Sequence, residues 1–184
     1  MTTILGLTTL LLLSSAGPSA TENGADRTTL FVRVLDYAGV PGPVRSARAQ
    51  VTRIFAAAAV SVNWTVEPAD VRAIDVLVLS DAMSDRKIKA ESIPAGVLGL
   101  AAHSARRVYI LTERVISVAN GVGVQPGDVL GDVIAHELGH LLLGENQHSV
   151  SGIMAADYTV QNKAARRFTN DQAALIRAHL LRQP

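Results

Sequence analysis

The residue string HELGH, from His136 to His140, is the part of the sequence best suited to chemistry. On an α-helix, positions i and i+4 lie about 40° apart around the axis and one turn along it, so both imidazoles can reach the same ion. Glu137 is offset by one residue, near enough to take a proton from water at that ion without ligating it. Two histidines and a carboxylate at this spacing are typical of a zinc ion used for hydrolysis.

The alternative interpretation is a chance match on an amphipathic helix, with both histidines satisfied in a core. From the histidine and glutamate frequencies of this chain, such a match is expected with a probability on the order of half a percent. Apolar residues flank the string, as a buried active-site helix requires: Val133, Ile134, Leu141 and Leu142. Because two unpaired histidines would be costly to bury there, we expect a metal site.

A catalytic zinc site also needs a third protein ligand and an open position. The chain has no cysteine, so thiolate ligands and a disulfide frame are excluded. No glutamate follows Glu145, which lies too close to His140 to turn back on the ion. His148 is the best candidate, because Gly144 lets the chain leave the helix, and Asp157 is the second choice. The alternative for His148 is a solvated loop histidine.

The longer string HELGHLLLGENQHSVSGIM resembles the metzincin zinc peptidases, whose pattern is HExxHxxGxxH followed by a methionine turn. The matching ligands, base, turn glycine and methionine are His136, Glu137, His140, Gly144, His148 and Met154. The pair His148–Ser149 is especially like the matrixin branch, and the whole string is similar to that of small bacterial secreted proteins. One departure is that seven residues separate His140 from His148 instead of five.

The resemblance implies an α+β fold: a mixed, twisted sheet of about five strands, an active-site helix, a Met turn and a C-terminal helix. It also implies one catalytic Zn²⁺ and a polypeptide substrate paired with an antiparallel edge strand. That strand would be Val97, Leu98, Gly99, Leu100 and Ala101, with Gly96 and Gly99 permitting close backbone approach. The alternative is a strand boundary and a weak strand. Tyr158 is expected in the core or pocket wall, with a transition-state contact as the alternative.

Hydrophobic periodicity places the elements around these residues. Strands are predicted at Leu30–Asp36, Val60–Val66, Ile74–Leu79, Val97–Ala102 and Arg107–Leu111, and helices at Val44–Ala59, Pro126–Leu143 and Asn170–Leu181. Ser80–Ser92 and Asn120–Gly127 are predicted as loops. Gly144 is expected to end its helix in the left-handed conformation and Thr169 to cap the last one. His103 and His179 are interpreted as surface histidines.

The N-terminus predicts export. An apolar run of ten residues, Ile4–Leu13, precedes small residues, although no Lys or Arg comes before it. We expect a signal peptide at residues 1–20, a polar lead at 21–27, a single metzincin-like catalytic domain at 28–184, and a secreted or periplasmic protein. A disordered or wrongly chosen start is the alternative. The run is too short to cross a bilayer, which needs about 20 residues, so no stable membrane anchor is expected.

Charge and motif together define the rival functions. The net charge is +1, with 17 basic and 16 acidic residues, so no nucleic-acid partner is expected. A zinc-dependent endoribonuclease of the three-histidine type is one rival, but it would need neither Glu137 nor export. A zinc-stabilised binding domain without turnover is the other, and the retained Glu137 argues against it. A monomer is the default oligomeric state.

Overall fold

The structure is a computed structural model that describes residues 28–66, 72–144, 147–156 and 166–182. The elements in these ranges are, in chain order, β1 Thr28–Asp36, α1 Pro41–Ala56, β2 Val60–Trp64, β3 Ile74–Leu79, α2 Asp81–Glu91, β4 Gly99–Ala102, β5 Arg107–Leu111, α3 Thr112–Val122, α4 Pro126–Leu143 and α5 Asn170–Leu181. The predicted signal peptide and polar lead, as well as Asp157 and Tyr158, lie outside the described residues.

The five strands form one mixed sheet in the order β2-β1-β3-β5-β4. Strands β2, β1, β3 and β5 run parallel to one another, whereas β4, at the edge, runs antiparallel to β5. Strand β3, which is apolar except for Asp75, occupies the centre, as a strand covered on both faces should. The predictions of an α+β fold, a mixed five-stranded sheet and an antiparallel edge strand are therefore confirmed.

Helices α1 and α4 pack closely together over the sheet. A side chain at Gly127 would come within 2.5 Å of the Cβ atom of Ser46, and one at Gly131 within 2.6 Å of the Cβ atom of Gln50. The two glycines of α4 therefore let the helix backbones approach. Helix α1 buries Ala47, Val51, Ile54 and Phe55, and the ring of Phe55 lies 5.1 Å from that of Phe168 in the same core. Helix α4 is fixed in place by this packing.

The prediction of an exposed loop over Ser80–Ser92 was wrong, because this segment forms helix α2. Its charged residues are exposed except Lys87, which lies over the Tyr109 ring at 3.8 Å and makes an i,i+4 ion pair of 2.7 Å with Glu91. Only a narrow apolar side, with Met83 and Ile88, packs against a small cluster beside the sheet. Such a helix carries too little apolar periodicity for a sequence pattern to indicate it.

Helix α3 was also missing from the sequence-based prediction. It buries Val115 and Ala119, one turn apart, and ends at Gly123, which has a φ of +68°. The predicted loop over Asn120–Gly127 is therefore shorter than expected. Among the described residues, no helix is both long and apolar enough to cross a membrane.

Several boundaries agree with the sequence. The predicted limits of β3, β5, α4 and α5 are those observed. Thr169 caps α5 as expected: its hydroxyl accepts from the Gln172 backbone N–H at 3.2 Å, and the Gln172 side chain accepts from the Thr169 N–H at 2.9 Å. Helix α1 instead ends at Ala56, three residues early. Ala59 has a φ of +57°, which no right-handed helix contains.

Candidate metal centre

Three histidines converge at the C-terminal half of α4. The Nε2 atom of His140 lies 3.0 Å from that of His136 and 3.2 Å from that of His148. When one ligand nitrogen is taken from each histidine, all three nitrogens lie within 4.8 Å of one another. The helix supplies His136 and His140, and the segment after it supplies His148. The two extra residues between His140 and His148 are thus accommodated without moving the third histidine away from the pair.

The orientation of His136 is set by the turn that follows the histidines. Its Nδ1 lies 2.8 Å from the backbone carbonyl oxygen of Ile153. Because a carbonyl oxygen only accepts, Nδ1 carries the proton and Nε2 presents its lone pair to the cluster. The ring of His140 stands nearly perpendicular to those of His136 and His148, at 79° to each. This arrangement lets three nitrogen lone pairs point towards one position.

The donor set fits a zinc ion. Zinc–nitrogen bonds of roughly 2.0–2.1 Å in tetrahedral geometry place ligand nitrogens about 3.4 Å apart. The two Nε2 separations, 3.0 and 3.2 Å, are close to that spacing. Three neutral imidazoles are also a ligand set that catalytic zinc sites use, since they leave the fourth position open.

The protonation of the histidines favours metal binding near neutral pH. Burial lowers the pKa of His136, assisted by the charge of His148 and opposed by the hydrogen bond to Ile153. Burial also lowers the pKa of His140 to about 4, assisted mainly by the charges of the other two histidines and opposed by a hydrogen bond with the Gly144 backbone. Neutral imidazoles are the metal-binding form, so both rings are ready to ligate without losing a proton.

Glu137 lies beside the cluster in a nearly closed environment. It is 8% exposed, and burial raises the pKa of its carboxyl from 4.5 to about 7. The edge strand covers it from above: a Cβ atom placed on Gly99 would lie 2.8 Å from the Glu137 Cγ and 3.1 Å from its Oε1. A Cβ atom placed on Gly96 would meet nothing within 4 Å. Gly99, and not Gly96, therefore lets the backbone of the edge strand approach another part of the chain closely, and that part is Glu137.

Met154 lies directly under α4. It is fully buried, and a side chain on Gly139 would overlap its sulfur atom and come within 3.0 Å of the Phe168 ring. Its own carbonyl accepts from the Ser149 N–H at 2.9 Å, which closes the segment that carries His148. Gly152, with a φ of +85°, begins the turn. Met154, which was predicted to lie beneath the histidines, thus packs against α4 at Gly139, between His136 and His140. The sequence did not indicate this role of Gly139.

A cleft of about 840 Å³ opens above these residues. Its lining comes from the segment before and at the start of β4 (residues 96–99), from α4 (including His136, Glu137 and His140), from residues 148–153 and 155–156, and from Arg166. Of the predicted edge strand Val97–Ala101, the paired strand itself begins only at Gly99, although the Leu98 carbonyl already accepts from the Leu111 N–H at 2.9 Å. The cleft therefore runs along the edge of the sheet.

The expectation that His103 and His179 are surface histidines was wrong, because both are half-buried. The Nε2 of His103 donates to the His140 carbonyl at 2.9 Å, which joins the end of β4 to the helix of the histidines. His179 shares a small cavity of about 220 Å³ with His103 and Arg106, and burial lowers its pKa. An isolated histidine outside any periodic pattern gives no sequence signal for such a contact.

A buried polar network supports the site and was not predicted. Asp132 lies one turn before His136, 2% exposed, and accepts from the Gln50 side-chain amide at 2.8 Å. Its second carboxylate oxygen accepts from the guanidinium of Arg166, which is also buried. A carboxylate on an otherwise apolar helix face was the available signal, but its two partners are 82 and 34 residues away.

The end of α4 differs from the prediction. Gly144 has a φ of +102° and a ψ of 172°, outside the left-handed helical region. This conformation is one that glycine adopts readily because it lacks a Cβ atom. The requirement for glycine is thus as expected, whereas the backbone at Gly144 does not take the left-handed helical conformation that the sequence predicted.

Comparison with models of protein families, with curated proteins and with solved structures found no match to this chain. The geometry of the centre therefore carries the functional argument.

Proposed function

We propose that this protein is a zinc-dependent endopeptidase with a metzincin-like fold. One observation carries the proposal: the buried side chain of Glu137 and three convergent imidazoles line the same open cleft. A structural metal site closes all four positions with protein ligands, whereas the part of the chain that the structure describes offers three here. The site is therefore suited to activating a bound molecule.

The protein supplies binding, orientation and proton transfer. His136, His140 and His148 would hold the zinc ion through Nε2. The chemistry that zinc contributes at such a site is polarisation of the scissile carbonyl and acidification of water. Glu137 accepts the proton of the attacking water and then delivers it to the leaving amine nitrogen. In the metal-free chain burial raises the pKa of this carboxyl to about 7, and the positive charge of a bound zinc ion would favour its ionised, proton-accepting form.

Two backbone contacts keep the histidines in position. The carbonyl of Ile153 holds Nδ1 of His136, and His103 holds the carbonyl of His140. The first of these hydrogen bonds fixes the His136 ring and its tautomer, and removing such a bond typically lowers metal affinity about 10–100-fold. The second reaches the backbone of His140 and holds the end of α4, not the His140 ring. These contacts belong to the centre as much as the three ligating nitrogens do.

Strand β4 is suited to binding the substrate backbone. Within the described residues it pairs with β5 alone, so its outer edge borders the cleft. An extended polypeptide added there would use main-chain hydrogen bonds, which are insensitive to sequence. The element order also supports the metzincin-like assignment: a mixed sheet with an antiparallel edge strand, then the histidine helix, a turn with Met154 and a C-terminal helix. Export remains a prediction.

The proposal is tested by incubating an unfolded generic protein with the purified, zinc-loaded chain and with E137Q. We expect cleavage by the wild type, loss of cleavage with a chelator, and recovery after zinc is added back. E137Q should bind zinc and fold but give no cleavage. An oligoribonucleotide in parallel addresses the ribonuclease rival, whose cleavage would persist in E137Q. Zinc binding without any cleavage would contradict the peptidase and favour a binding domain.

A further inference from the structure

Gly99 is held against Glu137 in a way that its backbone conformation does not require. It is the first residue of β4, is buried, and pairs with Ile110 in the sheet. It is absent from the residues with a positive φ, so an alanine could adopt the same backbone. What excludes a side chain is the space above Gly99, which the Glu137 side chain fills.

A side chain at Gly99 would meet two residues of α4, Glu137 and Val133. A Cβ atom on Gly99 would lie 2.8 Å from Glu137 Cγ and 3.1 Å from Oε1, and 3.0 Å from Cγ1 of Val133. Val133 is one turn before Glu137 on α4, so both lie on the helix face that meets the edge strand. The backbone of Gly99 is thereby pressed against the methylene and the carboxylate of Glu137.

We propose that Gly99 is a positioning residue for Glu137. The bare backbone of the edge strand limits the Glu137 side chain to the conformation that places its carboxylate beside the histidines. A methyl group at this position would displace that carboxylate, while the three imidazoles, none of which supplies any of the three atoms nearest to the added Cβ, would stay in place. The effect on turnover rests on the proposed peptidase function, whereas the steric coupling between the two residues does not.

The first test separates positioning from binding. We expect G99A to lower kcat by about 100-fold, the cost of misplacing a reacting group by about 1 Å, with zinc affinity unchanged and KM within about threefold. G121A is the matched control, since Gly121 lies on the exposed side of α3 with nothing within 4 Å of an added Cβ. It should keep the wild-type kcat. Wild-type kcat in G99A would overturn the proposal.

The second test measures the coupling without activity. Alanine at position 137 has neither the Cγ atom nor the carboxylate that the new methyl would meet, so E137A should relieve the clash. In urea unfolding of the metal-free chain, we expect G99A to lower the midpoint in the wild type and to lower it much less in E137A. In V133A the loss should persist. If G99A costs the same in all three backgrounds, or is relieved by V133A alone, Gly99 serves only strand–helix packing.

The two tests also separate this inference from the proposed function. If the wild-type chain cleaves no substrate, the peptidase proposal fails, but the unfolding midpoints still decide whether Gly99 and Glu137 are coupled. If the chain is a peptidase and the midpoints show no coupling, the positioning role alone is wrong.

Discussion

Burial of the Glu137 carboxylate should destabilise the metal-free protein at neutral and alkaline pH. In the folded chain its pKa is raised from 4.5 to about 7 by burial. Between these values the folded state holds a proton that the unfolded state has lost, so stability falls as pH rises. The penalty is absent below pH 4.5 and complete above about 7. E137Q, which carries no charge, should remove it.

The magnitude follows from the pKa. At about 1.4 kcal/mol for each pH unit, the rise from 4.5 to about 7 corresponds to about 3 kcal/mol. Glu137 is only 8% exposed, so little of this is lost to solvent screening. With a urea dependence of about 2 kcal/mol per molar, the midpoint of E137Q should exceed that of the wild type by about 1.5 M at alkaline pH. Burying the neutral side-chain amide of E137Q changes the free energy of unfolding by the same amount at every pH. It therefore does not alter the pH-dependent part of the difference between E137Q and the wild type.

The assay is urea unfolding of both proteins with a chelator present, at about pH 4.5 and about pH 8.5. Titrations of the histidines affect both proteins alike and drop out of the difference. E113Q is the control, because Glu113 is exposed in the first turn of α3 and should give no gain at alkaline pH. Equal midpoints of E137Q and wild type at alkaline pH, or a gain of the same size at both pH values, would refute the reasoning.

Three further predictions concern the supports of the centre. H148A should weaken zinc binding by at least about 100-fold in a chelator competition, because it removes one of three nitrogen ligands. D132A should lower the free energy of unfolding by about 3–5 kcal/mol in urea, since it leaves the buried charge of Arg166 without its carboxylate. G139A should lower the thermal midpoint by several degrees, about 2–4 °C per kcal/mol, because its methyl overlaps Met154.

Each of these has an outcome that contradicts it. Unchanged zinc affinity in H148A would mean that His148 is not a ligand. A D132A protein as stable as wild type would mean that the ion pair with Arg166 contributes nothing beyond its desolvation cost. If G139A melts at the wild-type temperature, or M154A does not reduce the effect of G139A, Met154 does not pack against the helix as described.

The sequence was sufficient for the parts of the fold that carry strong local signals. Strand β3 is apolar except for Asp75, and α4 combines a proline at its start, an acidic first turn and a glycine after its end. Helix α2 was missed because its charges give it almost no apolar face, and such a helix is fixed by tertiary packing, which no local pattern records. Helix α3 is amphipathic and buries Val115 and Ala119, but it follows directly on β5 and no side chain caps its start, so no local signal marks where it begins.

The candidate metal centre also contains residues that the sequence predicted and contacts that it did not. His136, Glu137 and His140 are read directly from their spacing on one helix, and His148 from its position after a glycine. The contacts of His103 with His140, and of Arg166 with Asp132, join residues that are 37 and 34 positions apart. Gly99 was noticed in the sequence, but its neighbour was expected to be substrate. Only the folded chain places Glu137 there.

The most direct test of the central claim is the rate of protein cleavage as a function of zinc occupancy. Metal-free chain is titrated with zinc, and the bound metal and the rate of cleavage of an unfolded protein are measured on the same samples. We predict a rate of zero without metal, a linear rise to one zinc per chain and no further increase, with E137Q binding the same amount and remaining inactive. Cleavage by metal-free chain, or equal rates for E137Q and wild type, would contradict the account.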